Sequence, residues 1–210
     1  MSFRISEDEY QSLMAKRRSW NVGTASLVVP RQPDVSEAEP CRVHPSPHQT
    51  ALDYLAKHPD AYKAKREHYD QVKVFRYFEL LPNQEIYEHL AAIPNGGHRS
   101  KGEAGKMKAE GQKPGYPDTT LDLPRGVYHG LRIEMKADAD KDLDVSKGRV
   151  SSDQLTYLRR LTAAGYYCTT CWGTQDAIKV ILEYYFLEPN SRMSAREFDL
   201  TLKDNNSKTE

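Results

Sequence analysis

Cysteine is scarce. Three residues of 210, Cys41, Cys168 and Cys171, are too few and odd in number for a disulfide framework. Long apolar runs are missing too: none approaches the roughly 18 residues a membrane helix needs. The opening MSFRISEDEYQSLMAKRR carries acids where a secretory signal would carry its apolar core. The expectation is an intracellular, cytoplasmic protein with no membrane partner. Net charge is absent as well, with 30 Lys and Arg against 30 Asp and Glu, so total charge announces no nucleic-acid partner. Internal repeats are lacking. At 38% hydrophobic and 29% charged residues, the chain suits one well-cored domain under a large polar surface.

Local features say more than these totals. Arg99, Lys101, Lys106, Lys108 and Lys113 face only Glu103 and Glu110 over the same stretch, and Lys63, Lys65 and Arg66 form a second basic cluster. Either cluster can be a solvated helix face or a grip on phosphate. Cys168 and Cys171 form a CxxC within YYCTTCW, which reads as a strand. Residues three apart then point to opposite faces, and no second pair completes a zinc set, so core packing is expected.

Residues 1–50 read as an extension or linker with one short helix in SEDEYQSLMAKRR. Residues 51–187 read as a domain, and 188–210 as a tail. A helix starts near Ala51 and breaks at Pro59; another runs from Asp60, which can cap it, to a stop at Pro82. A short helix at Gln84 to Leu90, the turn AIPNGGHRS, a basic helix KGEAGKMKAEG and the loop KPGYP follow. TTLDL and YHGLRIEMKA read as two strands joined through PRG. The polar ADADKDLDVSKGR, a helix from Ser152 to Ala164, the strand YYCTTCWG and a helix from Asp176 to Phe186 complete the order. Helices alternating with strands predict an α/β fold with a central mixed sheet.

In LRIEMKAD, Leu131, Ile133 and Met135 alternate with Arg132, Glu134 and Lys136, as in a strand with one apolar and one polar face. Asp118 heads the preceding strand, with Thr120 and Asp122 on its face. Asp118 can lie beside Glu134 only if paired residue numbers add to an even total. A turn centred on Gly126 achieves this, pairing 118 with 134, 120 with 132 and 122 with 130. Two adjacent carboxylates repel unless a cation sits with them. Mg²⁺ or Mn²⁺ favours such oxygen ligands together with water and substrate phosphate, and a nearby lysine can orient water or offset charge growing on phosphorus. Glu134 heads the one acid-x-Lys triplet in the chain. On pattern alone, a solvated hairpin face with a cross-strand ion pair explains the same residues.

Pro117-Asp118 followed by Glu134-Met135-Lys136 resembles the PD-(D/E)XK nuclease superfamily. AIPNGGHRS (92–100), a basic helix, EGQKPGYPD (110–118), LPRGVYHGLRIEMK (123–136), VSSDQ (150–154) and AAGYYC (163–168) together resemble the virus-type replication-repair nuclease family, VRR-NUC. The likeness is to its short stand-alone form common in bacteriophages, and it covers about residues 65–185. It implies a restriction-endonuclease-like core and a Mg²⁺ or Mn²⁺ site on Asp118, Glu134 and the backbone carbonyl of Met135, with Lys136 as the lysine. It implies a further helix acid, best matched by Glu67 with Gln71 one turn on, while Glu79, Glu85 and Glu88 are rivals. It places a glutamine on Gln154, which also reads as half of a capping box with Ser151, so two readings compete for one side chain. Arg99, Lys101, Lys106, Lys108 and Lys113 become candidate DNA phosphate contacts, and Asp138 a weaker extra ligand. The implied activity is a structure-selective DNA endonuclease, a Holliday-junction resolvase working as a homodimer. A flap or nicking nuclease, or a DNA-binding module without catalysis, is the alternative.

Overall fold

Pro47 opens the first helix among the described residues, where a missing N–H costs nothing, and the Ser46 side chain accepts from Gln49 N at 3.2 Å. The computed structural model describes residues 45–94, 101–140, 146–194 and 196. The helix expected in SEDEYQSLMAKRR, the turn at residues 95–97, Arg99 and Cys41 lie outside them. The chain divides into two units, Met1–His44 and Pro45–Glu210, and every described residue belongs to the second.

After α1 (Pro47–Lys57), the helix expected to run unbroken from Asp60 is two: α2 (Asp60–Ala64) and α3 (Arg66–Glu79). The backbone leaves helical geometry at Lys65, with φ −140° and ψ 48°, and the N-cap of α2 is Pro59 rather than Asp60. The short α4 (Glu85–His89) runs straight into β1 (Leu90–Ala92), a strand that sequence reading assigned to a helix end and a turn. Three residues are too few to display an alternation. Next come α5 (Lys101–Ala109), β2 (Thr119–Leu121), β3 (Leu131–Lys136), α6 (Ser152–Ala163), β4 (Tyr167–Trp172) and α7 (Gly173–Tyr185).

The four strands lie in the order β1-β2-β3-β4, antiparallel except for the parallel β3–β4 pair. This is the expected α/β architecture, a mixed sheet flanked by helices. The β2–β3 register is the even-total one, with Thr120 opposite Arg132 and Thr119 opposite Ile133. The hairpin tip closes Arg125 against Tyr128 around Gly126, whose φ is 57°. That tip is one residue out of phase with the ladder, so the connecting segments absorb an extra residue, as a bulge does.

Leu131, Ile133 and Met135 share a face with Tyr167, Thr169 and Cys171 of β4. Helices α3 and α7 cover this side. Tyr184 of α7 stacks on Tyr167 with ring centroids 6.4 Å apart, and Phe78, Val180 and Ile181 are buried with it. Burying each such side chain stabilises the fold by roughly 1.5–3 kcal/mol. Arg132, Glu134 and Lys136 share the opposite face with Cys168, Thr170 and Trp172, under α6, whose Leu158 packs on Cys168. All six residues of β3 are buried. This corrects the reading of a strand with one solvated side: a parallel neighbour brings its crossover helix with it, and α6 roofs the charged face. Cys168 and Cys171 are outside any disulfide, buried and on opposite faces, as expected. Among the described residues no helix is long and apolar enough to cross a membrane.

Candidate active site

The ladder between β2 and β3 stops at Thr119, and just beyond it the side chain of Asp118 takes over. Its Oδ2 accepts from the backbone N–H of Met135 at 3.0 Å, which pins the carboxylate to the end of β3. The Asp118 backbone carbonyl accepts from Ile93 N at 2.7 Å, so β1 holds the same residue from the other side. Glu134, also on β3, is fully buried. Lys136 lies two residues on along the same face and bends back, its Nζ donating to Glu134 Oε1 at 2.7 Å and to the Met135 carbonyl at 3.1 Å.

Helix α6 delivers the next residue. Ser151 caps it, accepting from Gln154 N at 3.3 Å, and Gln154 Oε1 accepts from Ser151 N at 2.8 Å. The other end of the same amide, Nε2, donates to Glu134 Oε1. The two readings of Gln154 therefore do not compete, because an amide has an acceptor end for the cap and a donor end for the carboxylate. The two oxygens of Glu134 consequently differ. Oε1 receives Lys136 and Gln154, whereas Oε2 is buried with no hydrogen-bond partner.

Glu67, on the first turn of α3, reaches round the end of β3. Its Oε1 accepts from Ala137 N at 3.3 Å and lies 3.9 Å from Lys136 Nζ, while Gln71 Nε2 donates to Thr119 Oγ1 at 3.4 Å. The rivals are occupied elsewhere. Glu79 pairs with Arg76 and Ser46, Glu85 with Arg125 and Tyr185, and Glu88 is exposed. Asp138, the weaker ligand candidate, is exposed and accepts from the amide of Ala139.

Burial pushes the Glu134 carboxyl up to about 8, the Asp118 charge adds to the rise, and the Lys136 ammonium opposes it. An acid with that preference is under-compensated by the protein alone. Among the described residues no three His, Cys, Asp or Glu side chains converge to hold a metal. Mg²⁺ and Mn²⁺ need no such cage, since one or two carboxylates with water and phosphate satisfy them. Asp118, the open Oε2 of Glu134 and the Met135 carbonyl thus fit a hard divalent cation in donor chemistry.

Of the candidate DNA contacts, Lys106, Lys108 and Lys113 are exposed on α5 and the loop after it. Lys101 begins α5, but its side chain lies outside the described residues, as does Arg99. Two residues at the site escaped sequence reading. Thr170 lies opposite Glu134 in the β3–β4 register, fully buried, with its Oγ1 unpartnered. Gly115, with φ 77°, presses on the start of α6 so closely that a Cβ would stand 2.5 Å from Asp153 C and 2.7 Å from Gln154 N. The signal for Thr170 was the parallel pairing of LRIEMK with YCTTCW; KPGYP reads only as a turn.

No family model matches the chain, and no curated protein matches it. A solved structure described as a "VRR_NUC domain protein" is similar, at 29% identity over 59% of this chain and 90% of that one, with a TM-score of 0.49. Its description names the family that the motifs resemble.

Proposed function

We propose that the protein is a Mg²⁺- or Mn²⁺-dependent nuclease that hydrolyses phosphodiester bonds in DNA, with four-way junctions as its substrate and a homodimer as its working form. The observation that carries the reading is the meeting of Asp118, Glu134, Lys136 and Gln154 at the end of β3, with one carboxylate oxygen left open. The printed description of the similar structure agrees in kind. A divalent ion on these oxygens supplies Lewis-acid charge to a phosphodiester and an acidified water beside it.

The chain's own residues do the rest. Asp118 is immobilised by Met135 N and Glu134 by Gln154, so the carboxylates are set in place before substrate arrives. Lys136, tethered to Glu134 and Met135, offers an ammonium that orients an attacking water and offsets negative charge growing on phosphorus. Glu67 steadies that ammonium from the far side. Lys106, Lys108 and Lys113 are suited to phosphate contacts that position DNA without reading its sequence. A two-fold dimer presents two equivalent sites to the two equivalent strands of a junction.

The test is incubation of purified protein with labelled four-way junction, flap and duplex DNA, with and without Mg²⁺ or Mn²⁺. Symmetric paired nicks confined to the junction support the proposal. Cleavage of flaps alone moves the substrate to other branched DNA, and binding without cutting in either metal refutes nuclease function.

A further inference from the structure

The β3–β4 pairing sets Thr170 directly opposite Glu134 on the face roofed by α6. Both residues are fully buried. Thr170 Oγ1 and Glu134 Oε2 are each without a hydrogen-bond partner. A buried polar atom left unpaired costs on the order of 1–3 kcal/mol, and two on one face of adjacent strands double that cost. Their chemistries are complementary, since a hydroxyl both donates and accepts and so suits the Glu134 oxygen whether the carboxyl is protonated or ionised. The other Glu134 oxygen is already taken by Lys136 and Gln154.

We infer that Thr170 is a positioning residue for Glu134, its hydroxyl bonded to Oε2 through one shared water and holding the carboxylate in the orientation that meets a divalent cation. This rests on the reading of the site as a Mg²⁺ or Mn²⁺ centre. One water with these two partners meets the minimum that a buried water needs. Such outer contacts set a ligand's direction, and their loss typically weakens metal binding about 10- to 100-fold. Thr169, the neighbouring threonine, points to the opposite face beside Ile133 and has no such role.

The experiment is Mn²⁺ titration calorimetry on the full chain, with melting of the metal-free protein in parallel. Thr170→Val keeps the shape and removes the hydroxyl. It should bind Mn²⁺ about tenfold or more weakly while melting close to wild type; Thr170→Ser should restore affinity to within about threefold. Thr169→Val, the control on the other face, should leave affinity unchanged. If Thr170→Val fails to fold, Thr170→Ala carries the same comparison. Wild-type affinity in the hydroxyl-free variant, or no recovery with serine, overturns the inference and leaves the metal site standing. If the wild-type protein takes up no Mn²⁺ at all, the metal reading falls and this inference falls with it.

Discussion

Glu134 is a carboxyl that burial and the Asp118 charge raise from 4.5 to about 8. A raised acid makes the folded state hold a proton that the unfolded chain releases. Its contribution to stability is full below about 4.5, erodes across the interval and is gone above about 8. Metal-free protein should therefore melt progressively lower as pH rises through that window, and Glu134→Gln, which cannot ionise, should flatten the slope. Melting curves from pH 5 to 8.5 check this; the same slope in both proteins would contradict it. In the proposed reaction the same residue is needed as an anion. Glu134→Ala should cut junction DNA at least about 100-fold more slowly while retaining DNA binding in a gel-shift assay, and wild-type cutting would overturn the assignment of the site.

Among the elements, α6 joins a helix start to the site through one side chain. Ser151→Ala removes the cap on Gln154 N and should cost about 1 kcal/mol of stability. It spares the bond from Ser151 N to Gln154 Oε1, because that donor is backbone. Gln154 should then still hold Glu134, and Mn²⁺ affinity should stay near wild type. Gln154→Ala loses its side-chain half of the capping box and the contact to Glu134 together, and should weaken Mn²⁺ binding about tenfold as well as stability. Denaturant unfolding and calorimetry on the two variants separate these effects; equal metal affinities would show that α6 merely packs.

At the scale of the whole molecule, the apolar layer beneath α3 and α7 determines whether the sheet forms at all. Phe78 is fully buried there, and Phe78→Ala should lower stability by about 3–5 kcal/mol in urea unfolding. In the proposed function DNA affinity belongs to the surface instead. A chain with no net charge must grip DNA locally, so each of Lys106, Lys108 and Lys113 that contacts phosphate should lower the slope of log affinity against log salt by about 0.9 when replaced by Ala. Binding measured from 50 to 300 mM salt reads this, and an unchanged slope in the triple variant would move the interface elsewhere.

The amino-acid order by itself determined that Asp118 and Glu134 share a face, because strand period and turn parity are local rules that span a hairpin. It also determined the cap of α6 and the burial of Cys168 and Cys171, each set by neighbours a few residues away, but it started α1 near Ala51 where the helix begins at Pro47. It did not reveal β1, three residues long, or the break at Lys65. Nor did it reveal that the charged side of β3 is covered, for the parallel strand that brings α6 over it lies more than thirty residues along the chain. Only the assembled fold decided that Gln154 bonds the cap and Glu134 at once, that Glu67 rather than Glu79 or Glu85 reaches Lys136, and that Thr170 faces Glu134. The physical reason is common to all three: they depend on which distant segments stack on one sheet, and stacking is settled by burial of the whole core rather than by any local pattern.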